Sequence, residues 1–201
     1  NYIWYSGKLW RAVSINNEAK TVKLVTQWNI SAINYSSGST AFEGSHMEMW
    51  LNDKTADGFL GNLRDPDKFI VTDAVWDATM DDRELGSITR PNGTTTVTAP
   101  VGLLNMYEYQ SSYYGTTYSN GYLNNGLDWW NLTPYSLYHV RFISSDGGAL
   151  SSTPSSASLG VRPSINIKSS VKIVGGDGTI DNPYRLNFLA KEDFPLFLFF
   201  I

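Results

Sequence analysis

The residues best suited to contact a ligand lie close together, after Thr133-Pro134 and in the Tyr-rich stretch 113–122. Tyrosine offers rigid, amphipathic contact area at a low entropy cost, and Ser, Gly and Asn nearby offer adaptable hydrogen bonds. This mixture is typical of binding loops and predicts a ligand surface within residues 135–159 and its neighbours. The predicted contacts are Trp130, Tyr135, Tyr138, His139, Arg141 and Phe142, together with Tyr114 and Tyr118.

A structural interpretation of the same residues stays open. The alternation over residues 138–142 also fits an ordinary strand with one face in the core. Trp129 and Trp130 are consecutive and point to opposite sides of a strand, so we predict that at most one is a core residue and that the other lines the ligand face. Arg162 interrupts an apolar pattern, and since a buried cation needs hydrogen-bond acceptors, we predict a structural clamp.

Catalytic chemistry has little support in the sequence. The chain has no cysteine, which excludes thiol nucleophiles, disulfides and thiolate metal sites. Its two histidines, His46 and His139, are far apart and lie outside any zinc-binding motif. Asp81, Asp82 and Glu84 fit a solvated turn, because they lack the apolar neighbours that raise the pKa of a glycosidase acid. We therefore predict that the protein is not an enzyme.

No cofactor and no metal site are predicted, and calcium is the alternative that the residues leave open. Asp177, Asp181 and Asn182 bring oxygen ligands to a Gly-rich turn. The turn lacks the full loop pattern of an EF-hand, and the sequence contains neither a Glu-Pro-Asn nor a Gln-Pro-Asp sugar-binding motif.

Composition restricts the partners. The chain has 201 residues, of which 42% are hydrophobic, which is enough for one sizeable core and predicts a single domain. Its net charge of −4 provides no cationic field for phosphate backbones, so we expect no nucleic-acid partner. No apolar run approaches the roughly 20 residues that span a bilayer, so we expect no membrane insertion by this segment. Abundant Tyr, Trp and Gly, with only 17% charged residues, favour a β-rich extracellular protein that is surface-bound or secreted.

The elements that must position these residues follow from periodicity and turn signals. Strands are predicted at residues 2–5, 8–15, 21–26, 129–132, 138–143, 161–167 and 171–173. In the second of these strands, the core candidates are Leu9, Ala12 or Val13, and Ile15. Helices are predicted at 46–51 and 56–63, and a further short helix is predicted after an Asn105 cap. Residues 65–67 are predicted to interrupt the regular secondary structure. Residues 111–122 are predicted to be a long loop.

Seven short motifs occur in order along the chain. They are Trp4-Tyr5-Ser6-Gly7-Lys8-Leu9-Trp10-Arg11, Trp50-Leu51-Asn52-Asp53, Val101-Gly102-Leu103-Leu104, Tyr122-Leu123-Asn124-Asn125-Gly126, Trp129-Trp130-Asn131-Leu132-Thr133-Pro134, Gly160-Val161-Arg162-Pro163 and Gly176-Asp177-Gly178-Thr179-Ile180-Asp181-Asn182-Pro183-Tyr184. The ordered set resembles a bacterial surface domain of uncharacterised function that is common in Firmicutes, often behind a pilin-type or secretion signal. Its closing half is similar to C-type-lectin-like folds, including the formylglycine-generating type.

The resemblance implies an α+β, C-type-lectin-like fold with small twisted antiparallel sheets, two short helices and long display loops. It covers a single domain at residues 1–187 and leaves an apolar C-terminal tail at 188–201 without a counterpart. Family members often carry a cysteine pair in the middle region, which this chain lacks.

Two functions are predicted from these observations. The first is a non-catalytic extracellular recognition or adhesion domain whose aromatic and Ser/Gly-rich surface binds an unidentified protein or glycan. The alternative is a structural subunit of a pilus or another surface fibre, in which the tail contributes to self-assembly by adding a strand or docking in a groove. Against that alternative, the tail could also fold back on its own domain or be a vector or frameshift remnant.

Overall fold

A computed structural model describes residues 1–113 and 118–188 of the protein. Strands predominate and the helices are few and short, so the predicted α+β class is confirmed. The strands are β1 Tyr2–Tyr5, β2 Lys8–Asn16, β3 Thr21–Thr26, β4 Ser31–Ile33, β5 Val75–Asp77, β6 Thr96–Thr98, β7 Trp129–Pro134, β8 Val140–Ile143, β9 Ala149–Ser152, β10 Leu159–Val161, β11 Ser164–Ile167, β12 Lys172–Gly175 and β13 Tyr184–Asn187. The helices are α1 His46–Asn52, α2 Pro66–Phe69 and α3 Met106–Gln110, with 3-10 turns at Leu60–Asn62 and Tyr118–Asn120.

The predicted N-terminal meander is confirmed, with β1, β2 and β3 paired antiparallel in sequence order. Ser6 and Gly7 connect β1 to β2, and both have positive φ angles, of 54° and 72°. Two consecutive positive φ angles are the signature of a type I′ turn, whose twist matches that of the flanking strands.

The core face of β2 differs from the prediction. Trp10 is fully buried there, whereas Leu9 is only partly buried. A β-bulge after Ala12 adds one residue to the strand. Ala12 and Ile15 therefore both pack against the main core although they are three residues apart, and Val13 packs against the second hydrophobic cluster.

The described strands form a six-stranded sheet, a five-stranded sheet and a two-stranded ribbon. Their orders are β11-β3-β2-β1-β13-β12, β4-β10-β7-β8-β9 and β5-β6. The expectation that the sheets are antiparallel is wrong at two places, because β1 pairs with β13 in parallel and β10 pairs with β7 in parallel. The first and last described strands are therefore neighbours. The single strand predicted at 161–167 is wrong: it divides into β10 and β11, which belong to different sheets. Pro163 lies at the division, where it has no N–H to donate to a strand ladder.

Strand β7 lies inside the second sheet, and all six of its residues are buried. Trp130 contributes to the main core, and Trp129 contributes to the second cluster with Tyr109. The prediction that at most one of the two tryptophans is a core residue is therefore wrong, because hydrophobic clusters cover both faces of this strand.

The helices follow their capping signals. The predicted helix at 46–51 is confirmed as α1, in which the Glu48 backbone N–H donates to the Ser45 side chain. Asn105 and Glu108 form a complete capping box at α3, as the Asn105 signal predicted in part. The second predicted helix, at 56–63, is wrong, since only a 3-10 turn forms there. The interruption of secondary structure predicted at 65–67 is instead the start of α2, with Pro66 in its first turn.

At the end of the described chain, the Phe188 ring packs edge-on against Phe69 with ring centroids 5.4 Å apart. The rest of the predicted tail, 189–201, and the predicted contact Tyr114 lie outside the described residues. The described part of the chain contains no helix that is long and apolar enough to cross a bilayer.

Candidate functional site

The predicted ligand contacts concentrate at the hairpin between β7 and β8. Its connection is tight, because the backbone N–H groups of Tyr135 and Ser136 both donate to the carbonyl oxygen of His139, at 2.9 and 3.2 Å. The Ser136 hydroxyl accepts the backbone N–H groups of Tyr138 and His139. This bonding leaves the side chains of Leu137 and Tyr138 at the tip, where they are 73% and 72% exposed.

Tyr135, Arg141 and Phe142, all predicted contacts, line one cavity of about 370 Å³ beside this hairpin. The other walls come from residues 82–84 and from residues 149–151 of β9. No sequence pattern indicated these walls, because Asp82 and Glu84 have the pattern of a solvated turn. The structure nevertheless brings this turn against the hairpin, where the Asp81 backbone N–H donates to the Pro134 carbonyl at 2.9 Å.

Arg141 is the unusual group of the cavity, because it is a cation that is only 5% exposed. Its Nη2 donates to the backbone carbonyls of Asp81 and Arg83, and its guanidinium lies 4.5 Å from the Tyr135 ring centroid. Its Nε is buried without a hydrogen-bond partner. Within residues 1–113 and 118–188 it forms no ion pair. Burial lowers the pKa of Arg141, and its buried Nε without an acceptor costs free energy.

The turn at 81–83 is held by its own ion pair. The Asp81 carboxylate accepts two hydrogen bonds from the Arg83 guanidinium, at 2.6 and 2.9 Å, and a third from the Arg83 backbone N–H. The hydrogen bond from the Arg83 side chain is the main cause that holds the pKa of Asp81 below its ordinary value. The carboxylate is therefore ionised at neutral pH and keeps the turn in place beside Arg141.

Replacing Arg83 with glutamine is expected to raise the pKa of Asp81 towards its ordinary value, as an NMR titration of the carboxyl carbon would measure. Because the folded pKa lies below the unfolded one, the pair stabilises the fold above the unfolded pKa. That stability is lost as the pH falls through the folded pKa. The variant should therefore have a shallower loss of stability in acid. Arg185→Gln removes the same charge from a distant sheet, and an equal shift of the Asp81 pKa in that control would contradict the assignment.

The remaining predicted contacts lie elsewhere. Trp130 is fully buried and its Nε1 donates to the Ile33 carbonyl at 2.9 Å, so it has no surface for a ligand. His139 is half-buried, with Nδ1 3.3 Å from the Ser136 hydroxyl. Tyr118 lies in a 3-10 turn. The structural interpretation of 138–142 applies to Val140, which is fully buried; strand β8 begins there and not at Tyr138.

Arg162 is a clamp, as predicted. Its Nε donates to the Thr26 carbonyl at 2.8 Å and its Nη1 to the Leu123 carbonyl, while the guanidinium lies 4.6 Å from the Trp129 ring centroid.

The Asp177 carboxylate at the Gly-rich turn accepts from the backbone and the hydroxyl of Thr179. The described part of the chain contains no cluster of three His, Asp or Glu residues that could hold a metal ion.

A family model described as "Domain of unknown function (DUF6273)" matches residues 19–169. The matched region contains the β7–β8 hairpin, the turn at 82–84 and strand β9, and therefore the whole cavity around Arg141. No curated protein and no solved structure matches the chain.

Proposed function

The chain belongs to the family of the domain of unknown function DUF6273, and from its site we propose that it is a non-catalytic extracellular recognition or adhesion domain of a bacterial surface. The observation that carries the proposal is the cavity that the buried Arg141 lines together with Tyr135 and Phe142. Such a cavity, with aromatic walls and a few directed polar groups, has the composition of ligand sites.

The hairpin tip extends this surface beyond the cavity. Leu137 and Tyr138 are adjacent and strongly exposed, and Leu150 on the cavity wall is 52% exposed. Apolar side chains scattered singly on a surface need no explanation, but apolar side chains at and beside a cavity favour a docking role. The ligand that fits is a protein or a glycan, because both combine apolar faces with hydrogen-bonding groups.

The chemistry of the cavity favours binding over catalysis. Arginine keeps its proton at physiological pH and therefore does not serve as a general base. Its hydrogen bonds to two backbone carbonyls and its contact with the Tyr135 ring hold it in one orientation. A fixed cation of this kind orients an acceptor group of a ligand.

We also propose that the fold is C-type-lectin-like. Support comes from the pairing of β1 with β13, which places the first and last described strands side by side. The hairpin that displays Tyr138 is rooted in β7, a fully buried strand, so the presented surface stands on a rigid support.

The proposal predicts that Tyr138→Ala and Tyr135→Ala each weaken ligand binding by about tenfold or more. The Tyr138→Ala protein should keep the melting temperature of the unaltered chain. Tyr138 is 72% exposed, so its truncation removes contact area without opening a cavity in the core. The measurement is a screen of the purified chain on glycan and peptide arrays. Titration of the best binder with each variant follows.

Trp28→Ala is the matched control, because Trp28 is an exposed aromatic residue outside the hairpin and the cavity. Retention of full affinity in both tyrosine variants, or an equal loss in the Trp28 control, would place the ligand on another surface. Catalytic turnover of the bound ligand would contradict the non-catalytic role.

A further inference from the structure

A second cavity, of about 570 Å³, lies at the turn between β1 and β2 and takes no part in the proposed recognition site. Trp4, Arg64 and Arg185 line it, together with residues of the Ser6-Gly7 turn and Leu186. Five of its nine lining residues lie outside 19–169, so the region matched by the family model contains only part of the cavity.

Hydrogen bonds fix the walls of this cavity. The Ser6 hydroxyl accepts the Arg64 backbone N–H at 2.8 Å, and the Tyr5 hydroxyl donates to the Arg64 carbonyl at 2.7 Å. The loop at 61–64 is thereby attached to a type I′ turn, whose geometry is itself restricted. A ligand would find the site already formed and would not bear the entropy cost of ordering it.

The charge of the cavity is opposite to that of the chain. The protein carries −4 overall, whereas the cavity lining contains two arginines and no carboxylate. Neither arginine forms an ion pair with another described residue. Arg64 is held by a hydrogen bond from Nη2 to the Leu186 carbonyl, at 3.2 Å, and by contact with the Phe69 ring. Lys8 is a further cation beside the Ser6-Gly7 turn, where its Nζ donates to the Ser6 carbonyl.

The nearest carboxylate in the sequence is already engaged. Asp65 follows Arg64 directly and lies 3.9 Å from the Lys68 ammonium. It lies beside a cation of its own helix, and Arg185 has no carboxylate partner among the described residues.

An exposed indole completes the site. Trp4 is 47% exposed, and it pairs with Arg185 in the parallel ladder between β1 and β13. Directly paired residues project from the same face of a sheet, so the side chains of Trp4 and Arg185 share one face, and both line the cavity. A large exposed ring beside a cation can stack on a flat group while the cation binds an attached anion.

We propose that this cavity binds an oxyanion, either a phosphate, a sulfate or a carboxylate, that is attached to a flat apolar group. Arg185 binds the oxyanion, for which its planar guanidinium is well matched. Trp4 takes the apolar group. The site is independent of the recognition surface at the β7–β8 hairpin, so either proposal can fail without the other.

Isothermal titration of the whole chain with phenyl phosphate tests the site, with inorganic phosphate as the probe for the anion alone. Phenyl phosphate should bind more tightly than phosphate, and its affinity should fall as sodium chloride is added. Arg185→Gln should weaken phenyl phosphate binding by about tenfold or more. Trp4→Ala should reduce the affinity for phenyl phosphate to that for inorganic phosphate.

Arg90→Gln is the matched control, because Arg90 is also an exposed arginine that lies near an aromatic ring, at 5.2 Å from the Tyr107 centroid. It should retain the affinity of the unaltered chain. Absence of saturable binding, or an equal loss in the Arg90 control, would overturn the proposal. Sedimentation with phosphatidylglycerol vesicles distinguishes the two sources of the anion. If the protein sediments with the vesicles and Arg185→Gln abolishes this, the ligand is a lipid headgroup. If the protein binds phenyl phosphate but does not sediment with the vesicles, the ligand is soluble.

Discussion

Replacing Arg162 with alanine is expected to lower the free energy of unfolding by about 3–5 kcal/mol. The side chain is 1% exposed, and its guanidinium satisfies the carbonyls of Thr26 and Leu123. Alanine would leave both acceptors buried without donors and would open a cavity over the Trp129 ring. Burial, and secondly the charge of Arg11, lower the pKa of Arg162 to about 9, so the lost group is a cation at neutral pH.

Urea denaturation followed by circular dichroism measures this loss. Arg185→Ala is the control, since the exposed Arg185 should change stability by no more than about 0.5 kcal/mol. Arg162→Lys keeps the charge but not the planar fork that reaches two carbonyls, so it should also be destabilised. An Arg162→Ala protein that unfolds at the same urea concentration as the unaltered chain would show that the clamp contributes nothing.

Replacing Trp130 with alanine is expected to destabilise the fold by a similar amount, about 3–5 kcal/mol. The indole is fully buried, with ring centroids 5.5 Å from Tyr35 and 6.3 Å from Phe142. Its truncation would remove these contacts and the hydrogen bond to Ile33 from the middle of the main core.

Thermal unfolding of Trp130→Ala against Trp28→Ala distinguishes a core residue from a ligand contact. Trp28 is 50% exposed, so its truncation should leave the melting temperature nearly unchanged. If Trp130→Ala kept its melting temperature and lost only ligand binding, Trp130 would be the surface contact that its sequence position suggested, and the core assignment would be wrong.

Local signals in the sequence were sufficient for much of the fold. The Ser6-Gly7 turn, the Asn105 cap and the alternation in 21–26 depend on residues within a few positions of one another. Such signals act through backbone geometry and hydrogen bonds between near neighbours, so the residues that determine them can be recognised in a short stretch of sequence.

Long-range packing decided the features that the sequence did not reveal. Whether one or both faces of β7 are covered depends on which elements pack on Trp129 and Trp130, and the second cluster comes from distant segments around Tyr109. The cavity at Arg141 could not be predicted for the same reason. The Arg141 guanidinium donates to the carbonyl of Arg83, which lies 58 residues earlier in the chain. Residue type was enough to predict Tyr135, Arg141 and Phe142 as ligand contacts. It did not predict the turn that encloses them.

The parallel pairing of β1 with β13 has a mechanical consequence. In a parallel pair, the start of β1 and the end of β13 lie at opposite ends of the ladder. A pull that separates the two ends of the domain therefore slides the strands past each other, and the hydrogen bonds between them bear the load together instead of opening one by one. A domain that holds a ligand against flow would be stiffest along this line, and the short ladder around Ile3 and Trp4 would set the force at which it yields.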